Sequence, residues 1–569
     1  MGRCRQAAPV RSPSSWTQGC MVRKKLSDAA RSVSDSWSAA GVLRRRGMID
    51  PVRRPAELIR TMKDAAAYGP FVTVLRQARH RSGGSVAIVD GHGELTFDEL
   101  DAQSNALAHG LAALGIGPGA VVAALCRDHR GMVLTLLAGG KLGARVVLMN
   151  TGFAGPQLAA VAAREQVGAL LLDQEFLATA AAVPDSVPRV ITWVSDPAAD
   201  LGAVPTVESL VATHPAGELP APQRPGGVVI LTSGTTGMPK GAPRDKVSPL
   251  LSAQFLDRIP FPEADTVIMA APIFHGTGLS QFSLGWALGN AIVFQQGRFD
   301  ARRVLADIAK YRAKTLVLVP TMLQRIVDLG DEVLAEYDTS SLRVIFAAGS
   351  SLSPDLGRRA AEAFGDVLYN LYASTEVAVA AVATPEDLRA APGTVGRPPV
   401  GCRVALYDEQ RRRITEPDRV GTIFVSSGLS FAGYTDGGHK EIVDGLLCSG
   451  DVGHFDSAGR LFIDGRDDDM IVSGGENVYP LEVENLLVER PDVLEAAVIG
   501  VEDRDFGKRL RVFVVPAEGV TLEEQEIRDY VKAHLARHKV PRDVIFLTEL
   551  PRNATGKVLR RALQEVEVG

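Results

Sequence analysis

The run Leu231-Thr-Ser-Gly-Thr-Thr-Gly-Met-Pro-Lys-Gly241 constrains this chain more than any other stretch. A short apolar segment, 228–231, leads into it, as a strand leads into a loop. Gly234, Gly237 and Gly241 let the backbone turn tightly and approach a ligand closely. The hydroxyls of Thr232, Ser233, Thr235 and Thr236, the loop N–H groups and the Lys240 ammonium are what a polyphosphate needs. The run is not a Walker A loop, which places Gly directly before Lys and Ser or Thr after it. Here Pro239 precedes Lys240 and Gly241 follows.

At 569 residues the chain is long enough for several domains. No 18 consecutive apolar residues occur, and the best candidate, 132–149, carries Lys141 and Arg145, so no spanning helix is expected. Cys4, Cys20, Cys126, Cys402 and Cys448 are scattered without CxxC spacing. That usage fits a reduced, cytoplasmic protein without a zinc site. Charge is uneven: the first 60 residues hold 13 Lys/Arg against 4 Asp/Glu, while the whole chain is −5. Two readings of this basic head stay open. Leu26, Ala29, Ala30, Val33 and Trp37 recur at helical spacing and could pack on the body. Lys24, Lys25 and Arg44–Arg46 could instead bring the head to an anionic membrane surface.

Alternating strand-like and helix-like segments fill 71–397, for example 120–125, 132–142 and 144–149, then 315–319, 321–329 and 344–347. Such alternation predicts α/β layers with parallel strands. After Arg397 short strands at 404–406, 421–425 and 461–463 stand between Gly/Asp/Pro turns and predict a small β-subdomain. A boundary is expected at Gly465-Arg466-Asp467-Asp468-Asp469. Beyond it a compact α+β pattern follows: a helix opened by Pro480, strands at 496–501 and 511–515, and a helix over 523–538. The division is thus a basic extension (1–60), a large N-terminal domain (61–465), a hinge (466–469) and a small mobile C-terminal domain (470–569).

Several separated motifs, together with the phosphate loop, resemble the adenylate-forming superfamily: Tyr372-Ala-Ser-Thr-Glu376, Ser449-Gly450-Asp451, Gly465-Arg466 and Pro551-Arg-Asn-Ala-Thr-Gly-Lys557. The superfamily holds acyl-CoA synthetases, peptide-synthetase adenylation domains and luciferases. The resemblance runs from about Phe71 to the C-terminus and implies a large adenylation domain with a mobile C-terminal lid. It implies that ATP, Mg²⁺ and coenzyme A are bound, and no nucleic acid partner is expected. By this resemblance Thr232, Ser233, Gly234, Thr235, Thr236, Gly237 and Lys240 hold the leaving pyrophosphate. Tyr372 stacks on adenine, Gly349-Ser350-Ser351 flanks it, Thr375 binds the α-phosphate and Glu376 coordinates magnesium. Asp451 and Arg466 bond the ribose, and Lys557 bridges the carboxylate and the α-phosphate. Asp468 is the hinge residue, and Gly474 borders the pantetheine channel. Two departures stand out: Ala373, where a glycine is commoner, and Ala242-Pro243-Arg244, where Pro243 is expected to interrupt a strand ladder.

The acid is read from Pro272-Ile-Phe-His275-Gly-Thr-Gly278. Amino-acid-activating relatives commonly place Asp after the Phe to hold an ammonium; His275 stands there instead. His275 and Gly276 are therefore candidates for the acyl site. Small residues follow at Gly276, Gly278, Gly285 and Gly289, and again over 377–381. They admit two readings, a narrow apolar channel for an alkyl chain or tight helix packing. The expected activity is an AMP-forming ligase joining a medium- or long-chain fatty acid to CoA. An aryl or short-chain acid ligase, a fatty acyl-AMP ligase loading a carrier protein, and a non-catalytic lipid- or nucleotide-binding descendant are the alternatives. Lys539 and Arg542 are weighed as CoA-phosphate contacts against a solvated helix end.

Overall fold

The computed structural model describes residues 37–48, 54–199, 201–232, 239–244, 249–295, 297–427, 433, 435, 439–466, 469–473, 476–503, 507–553 and 557–566. Two largely parallel sheets build the N-terminal domain. One runs, edge to edge, through Arg189–Trp193, Ala169–Asp173, Val121–Leu125, Arg145–Leu148, Val228–Thr232 and Lys240–Arg244. The other orders Ala378–Ala383, Leu368–Ser374, Val344–Ala348, Thr315–Leu318, Thr266–Met269, Ala291–Phe294, Val86–Asp90 and Gly93–Thr96. Continuous apolar strands such as Val344–Ala348, buried at every residue, are what a sheet covered on both faces requires.

Four helices are sandwiched between the sheets: Pro70–Ser82, Phe97–Ala113, Arg130–Leu142 and Gly276–Ala287. Their buried residues join Ile88 of one sheet and Val122 of the other in one core. Outer layers cover the far faces, with Ala301–Tyr311, Pro320–Val327 and Pro354–Phe364 on the eight-stranded sheet and Gly155–Arg164 on the six-stranded one. Helix starts carry the chemistry that fixes them. Thr96 closes a capping box with Glu99, and Pro70, Pro320 and Pro354 sit where a missing N–H costs nothing. Lys141 is buried in this core and bonded to the Asp101 carboxylate (2.8 Å), Ser104 Oγ (2.7 Å) and Asn105 Oδ1 (2.6 Å). The segment 132–149 is therefore a buried helix and strand, and among the described residues no helix is long and apolar enough to cross a membrane.

The small β-subdomain is antiparallel and comprises Arg403–Tyr407, Arg413–Ile414, Gly421–Ser426, Ile442–Val443, Leu446–Phe455 and Leu461–Arg466. A separate sheet begins at Ile471–Ser473, and with Pro480–Val488 and Glu524–His534 packed on it forms a smaller C-terminal domain. The expected helix over 523–538 ends at His534, because Leu535 turns extended (φ −124°, ψ 165°) and a 3₁₀ turn, Arg537–Lys539, follows.

Three further expectations meet the structure differently. Pro243 does not break its ladder: Lys240–Arg244 pairs antiparallel with Val228–Thr232 through Val229 and Pro243. The strand is the edge of its sheet, where a missing N–H is tolerated. Of the basic head, 37–48 and 54–60 are described; a helix over 37–45 buries Ala39, Val42 and Leu43 in the main core, and Arg46 donates to the Leu256 and Ile259 carbonyls (3.3 and 3.1 Å). Trp37, expected on the buried stripe, is 77% exposed, and Leu26–Val33 lie outside the described residues. Lys539 pairs with Glu482 at 2.6 Å, which makes it a fastener between two C-terminal elements.

Candidate active site

Thr232, His275, Gly349 and Tyr372 lie at or just beyond the C-terminal ends of strands of the two largely parallel sheets, where open α/β sheets bind ligands. Val228–Thr232 delivers the chain to the phosphate loop; Ser233–Gly237 lie outside the described residues, and the chain returns at Pro239 and Lys240, with Lys240 opposite Thr232. Thr435 crosses this strand: its N–H donates to Gly241 O (2.9 Å) and its hydroxyl to Glu165 (3.0 Å). A Cβ at Gly241 would meet Thr435 Oγ1 at 2.7 Å, so glycine is required where the two segments cross.

Strand Leu368–Ser374 carries Asn370 and Tyr372 on one face, by the period of two. The Tyr372 hydroxyl donates to Asp451 Oδ2 at 2.5 Å. Burial, then the Asp451 charge, pushes the Tyr372 phenol well above its ordinary range, so it stays a donor. Asp451 lies within strand Leu446–Phe455, not in the turn that a Ser-Gly-Asp tripeptide suggests. Its N–H bonds Ser449 Oγ (3.0 Å), which in turn donates to Ile423 O (3.0 Å). Directly across the ladder stands Arg466. Gly450 has φ 87°, and a Cβ there would lie 3.5 Å from both Arg466 Nη2 and Lys440 Nζ. Tyr372, Asp451 and Arg466 thus form one cluster, with Lys440 as an unexpected cation at its rim. Lys440 has no sequence signal, since it precedes the motif on an irregular segment.

Past Tyr372 the chain turns at Ser374, whose hydroxyl donates to Glu376 Oε2 (3.1 Å) and accepts from the N–H groups of Glu376 and Val377 (3.3 and 3.2 Å). The part-buried Glu376 carboxylate is held there, with Thr375 beside it. One carboxylate plus phosphate oxygens is the donor set magnesium favours, so the position fits that ion.

A second group lies around His275. His275 is the N-cap of Gly276–Ala287, and its Nε2 is buried with no hydrogen-bond partner among the described residues. Burial lowers the imidazole from 6.5 to about 4, so it is neutral at pH 7. Next to it Gly276 faces open space, with nothing within 4 Å of a Cβ placed there. Gly349 follows Val344–Ala348 with φ 101°, and its Cβ position lies 3.5 Å from Val319 Cγ1 and 3.9 Å from Thr277 Oγ1. That places the Gly349–Ser351 turn over the start of the His275 helix. Ser350 Oγ there is also buried without a partner, as is Asn370 Oδ1 on the neighbouring strand. Polar atoms left unsatisfied inside a protein are costly, and water or a ligand completes them. The 272–275 turn is fixed from outside its own sheet: the Ile273 N–H donates to both Asp128 oxygens (3.1 and 3.2 Å). Sequence spacing could not reveal this, because Asp128 follows a strand of the other sheet.

Of the small residues that admitted either a channel or tight packing, Gly278, Gly285 and the 377–381 run pack, whereas Gly276 and Gly289 have nothing within 4 Å of an added Cβ. A Cβ at Gly278 would collide with Pro272 O, and one at Gly285 would meet Ile292 Cδ1 at 2.7 Å. Trp286 is fully buried, donating to Ala87 O (3.1 Å). Val377, Ala380 and Ala381 fill a core with Ala242, Ile423 and Val425.

Lys557 stands on the C-terminal domain and is exposed. Its N–H donates to Asn553 Oδ1 (2.9 Å), and its carbonyl accepts from Asn553 N–H (2.9 Å), closing the turn that presents it. Arg560, just beyond, ties that domain's Glu484 (2.9 Å) to Asp469 (3.5 Å) after the domain boundary. Asp468 and Gly474 lie outside the described residues.

Two family models match the chain. The family model described as AMP-binding enzyme matches residues 74–435, and that described as AMP-binding enzyme C-terminal domain matches 482–557. The chain is 31% identical to an indoleacetate–CoA ligase of Aromatoleum aromaticum, over 85% of this chain and 95% of that protein. It is 29% identical to a fatty acid–[acyl-carrier-protein] ligase of Streptomyces coeruleorubidus, over 86% and 94%. Among solved structures, o-succinylbenzoate CoA synthetase from Bacillus subtilis, in complex with its acyl-adenylate, superposes with a TM-score of 0.75 at 27% identity, covering 87% of this chain and 98% of that one.

Proposed function

The chain belongs to the AMP-binding enzyme family and is an AMP-forming acid–thiol ligase using ATP, Mg²⁺ and CoA; from that premise we propose that its acid is a compact aromatic carboxylic acid bearing a hydrogen-bonding group. The observation that carries this reading is the half-buried, neutral His275, whose buried Nε2 is unsatisfied, beside the open space at Gly276. An alkyl chain would leave that nitrogen unpaired, whereas a ring with a polar substituent can satisfy it. The indoleacetate and o-succinylbenzoate named for two of the similar proteins are acids of this kind.

In the first step a carboxylate oxygen attacks the α-phosphorus of ATP. The bond to the bridging oxygen breaks, and pyrophosphate leaves. Tyr372, Asp451 and Arg466 hold adenosine, Gly349–Ser351 flanks the base, and Thr375 contacts the α-phosphate. Residues 232–240, ending in Lys240, hold the leaving group. Magnesium bound through Glu376 would neutralise phosphate charge. Lys557, carried in by the C-terminal domain, neutralises the oxygens exchanged between carboxylate and phosphate. Rotation about Asp468 then withdraws Lys557 and opens the path along Gly474 for the thiol. Thiolate attack on the acyl carbon expels AMP and leaves the thioester.

A medium- or long-chain fatty acid is the second reading, favoured by the similarity to the fatty acid–[acyl-carrier-protein] ligase. Pyrophosphate release from MgATP decides between them, measured with indoleacetate, benzoate, laurate, palmitate and acetate, with and without CoA. The proposal expects release with the aromatic acids and acyl-CoA only when CoA is present. Release confined to laurate or palmitate overturns it. Acyl-AMP accumulating despite CoA points to a carrier-protein acceptor.

A further inference from the structure

The helix Pro55–Tyr68 is built inside out. Its one buried residue is a charge, Asp64, while Ile59 and Met62 are 55% and 65% exposed. The polar side faces the next helix, Pro70–Ser82. Asp64 pairs with Arg76 (3.2 Å), Thr61 Oγ1 accepts from Gln77 Nε2 (2.5 Å), and Glu57 lies 4.0 Å from Arg81. A helix that packs on a core through its apolar stripe has the opposite arrangement.

By the helical period Pro55, Ile59, Met62 and Ala66 share the outer side, and all four are exposed. Lys63 and Arg60 border this stripe and are exposed as well. The two acids of the helix are taken up by Arg54, Arg76 and Arg81, and neither Arg60 nor Lys63 pairs with a carboxylate among the described residues. The outer side is thus apolar with cationic flanks and carries no acid. The helix over 37–45 adds to this character. Opposite its buried Ala39, Val42 and Leu43 it exposes Trp37 and Arg44, seven residues apart, and it too contains no acid. The sequence before Trp37 holds seven Lys/Arg against two Asp/Glu.

That charge decides between the occupants such a face can have. A second copy would set the same cations against each other with no acid to pair them. The segment before Trp37 is itself cationic and would be repelled. An anionic lipid surface pairs with the cations and admits the apolar stripe. At 14 residues the helix is too short to span a bilayer, which takes about 20.

We propose that the outer face of Pro55–Tyr68 lies on an anionic lipid surface, with Ile59 and Met62 entering the headgroup boundary and Arg60 and Lys63 meeting the lipid phosphates. This does not depend on which acid the enzyme activates.

Flotation of the full chain with vesicles tests it, comparing equal parts of phosphatidylglycerol and phosphatidylcholine with phosphatidylcholine alone. Wild type should bind the anionic vesicles about tenfold or more tightly than the zwitterionic ones and be released as salt screens the charges. Ile59→Ser with Met62→Ser removes the apolar stripe, and Arg60→Glu with Lys63→Glu reverses its flanks. Each pair should weaken binding about tenfold or more with an unchanged Tm, because these side chains face solvent. Val520→Ser, at an exposed apolar residue of the C-terminal domain, should bind as wild type does. Four outcomes overturn the proposal. Wild type fails to float with anionic vesicles, or floats equally with both kinds. The Ile59/Met62 variant binds as wild type does, which assigns the contact to the segment before Trp37. Or wild type self-associates and that variant does not, which makes the face an interface between copies.

Discussion

The Tyr372 hydroxyl donates to Asp451 at 2.5 Å, joining a strand of the eight-stranded sheet to one of the small β-subdomain. Asp451 is thereby aimed before any nucleotide arrives, and the bond is made by a phenol that burial keeps protonated. Tyr372→Phe keeps the ring and removes only this donor. It should raise the KM for ATP about tenfold with a small change in kcat, the cost of one hydrogen bond to a charged group. Tyr372→Ala also removes the stacking face and should cost more. Initial rates against ATP separate the two.

Asp128 holds the Ile273 amide, and burial raises its carboxyl from 3.8 to about 7. Between those values the folded protein binds a proton that the unfolded chain has released. Its contribution to stability is therefore full below about pH 3.8 and declines as pH rises toward 7. Asp128→Asn keeps an acceptor for Ile273 and should remove this decline. Urea melts at several pH values would show it as a flatter profile than wild type's. Asp128→Ala releases the turn and should raise the KM for the acid more than that for ATP.

His275 is neutral in the folded protein, lowered from 6.5 to about 4 by burial. The KM for the acid should accordingly show no imidazole inflection near pH 6.5. The unfolded chain takes up the proton first, so stability linked to His275 is present above pH 6.5 and lost as pH falls toward 4. His275→Phe removes the polar partner and should shift preference toward unsubstituted rings by about tenfold. Competition between benzoate and a hydroxybenzoate measures this.

Lys141 is buried against Asp101, Ser104 and Asn105. Lys141→Ala strands the Asp101 carboxylate with Arg79 alone on its other oxygen (2.7 Å). The expected loss is roughly 3–5 kcal/mol in chemical denaturation. Lys141→Met, which refills the volume, should not rescue it while Asp101 stays charged.

Much of the architecture was legible in the sequence, because strands such as Thr315–Leu318 and Val344–Ala348 are apolar throughout and alternate with helix-length segments. The candidate nucleotide motifs stand out in the sequence because each is contiguous, and the structure sets Asp451 and Arg466 opposite each other. What was hidden depends on partners far apart in the chain. Asp128 reaches Ile273 from another sheet, and Lys440 comes to the Gly450 turn beside Arg466 only through the fold. The two readings left open for the small residues over 276–289 and 377–381 could not be separated for the same reason. A glycine that opens a channel and one that lets a helix press on a strand look alike until the Ile292 contact is seen. Pro243 was misjudged because edge and central strands share one sequence pattern.

The most direct test of the account separates the two half-reactions in Lys557→Ala. With the acid found active, pyrophosphate release from MgATP should fall by about a hundredfold or more. CoA-dependent consumption of supplied acyl-AMP should stay near the wild-type rate, because the lid has withdrawn Lys557 by then. Equal losses in both half-reactions, or pyrophosphate release left intact, would contradict the roles assigned to Lys557 and the moving domain.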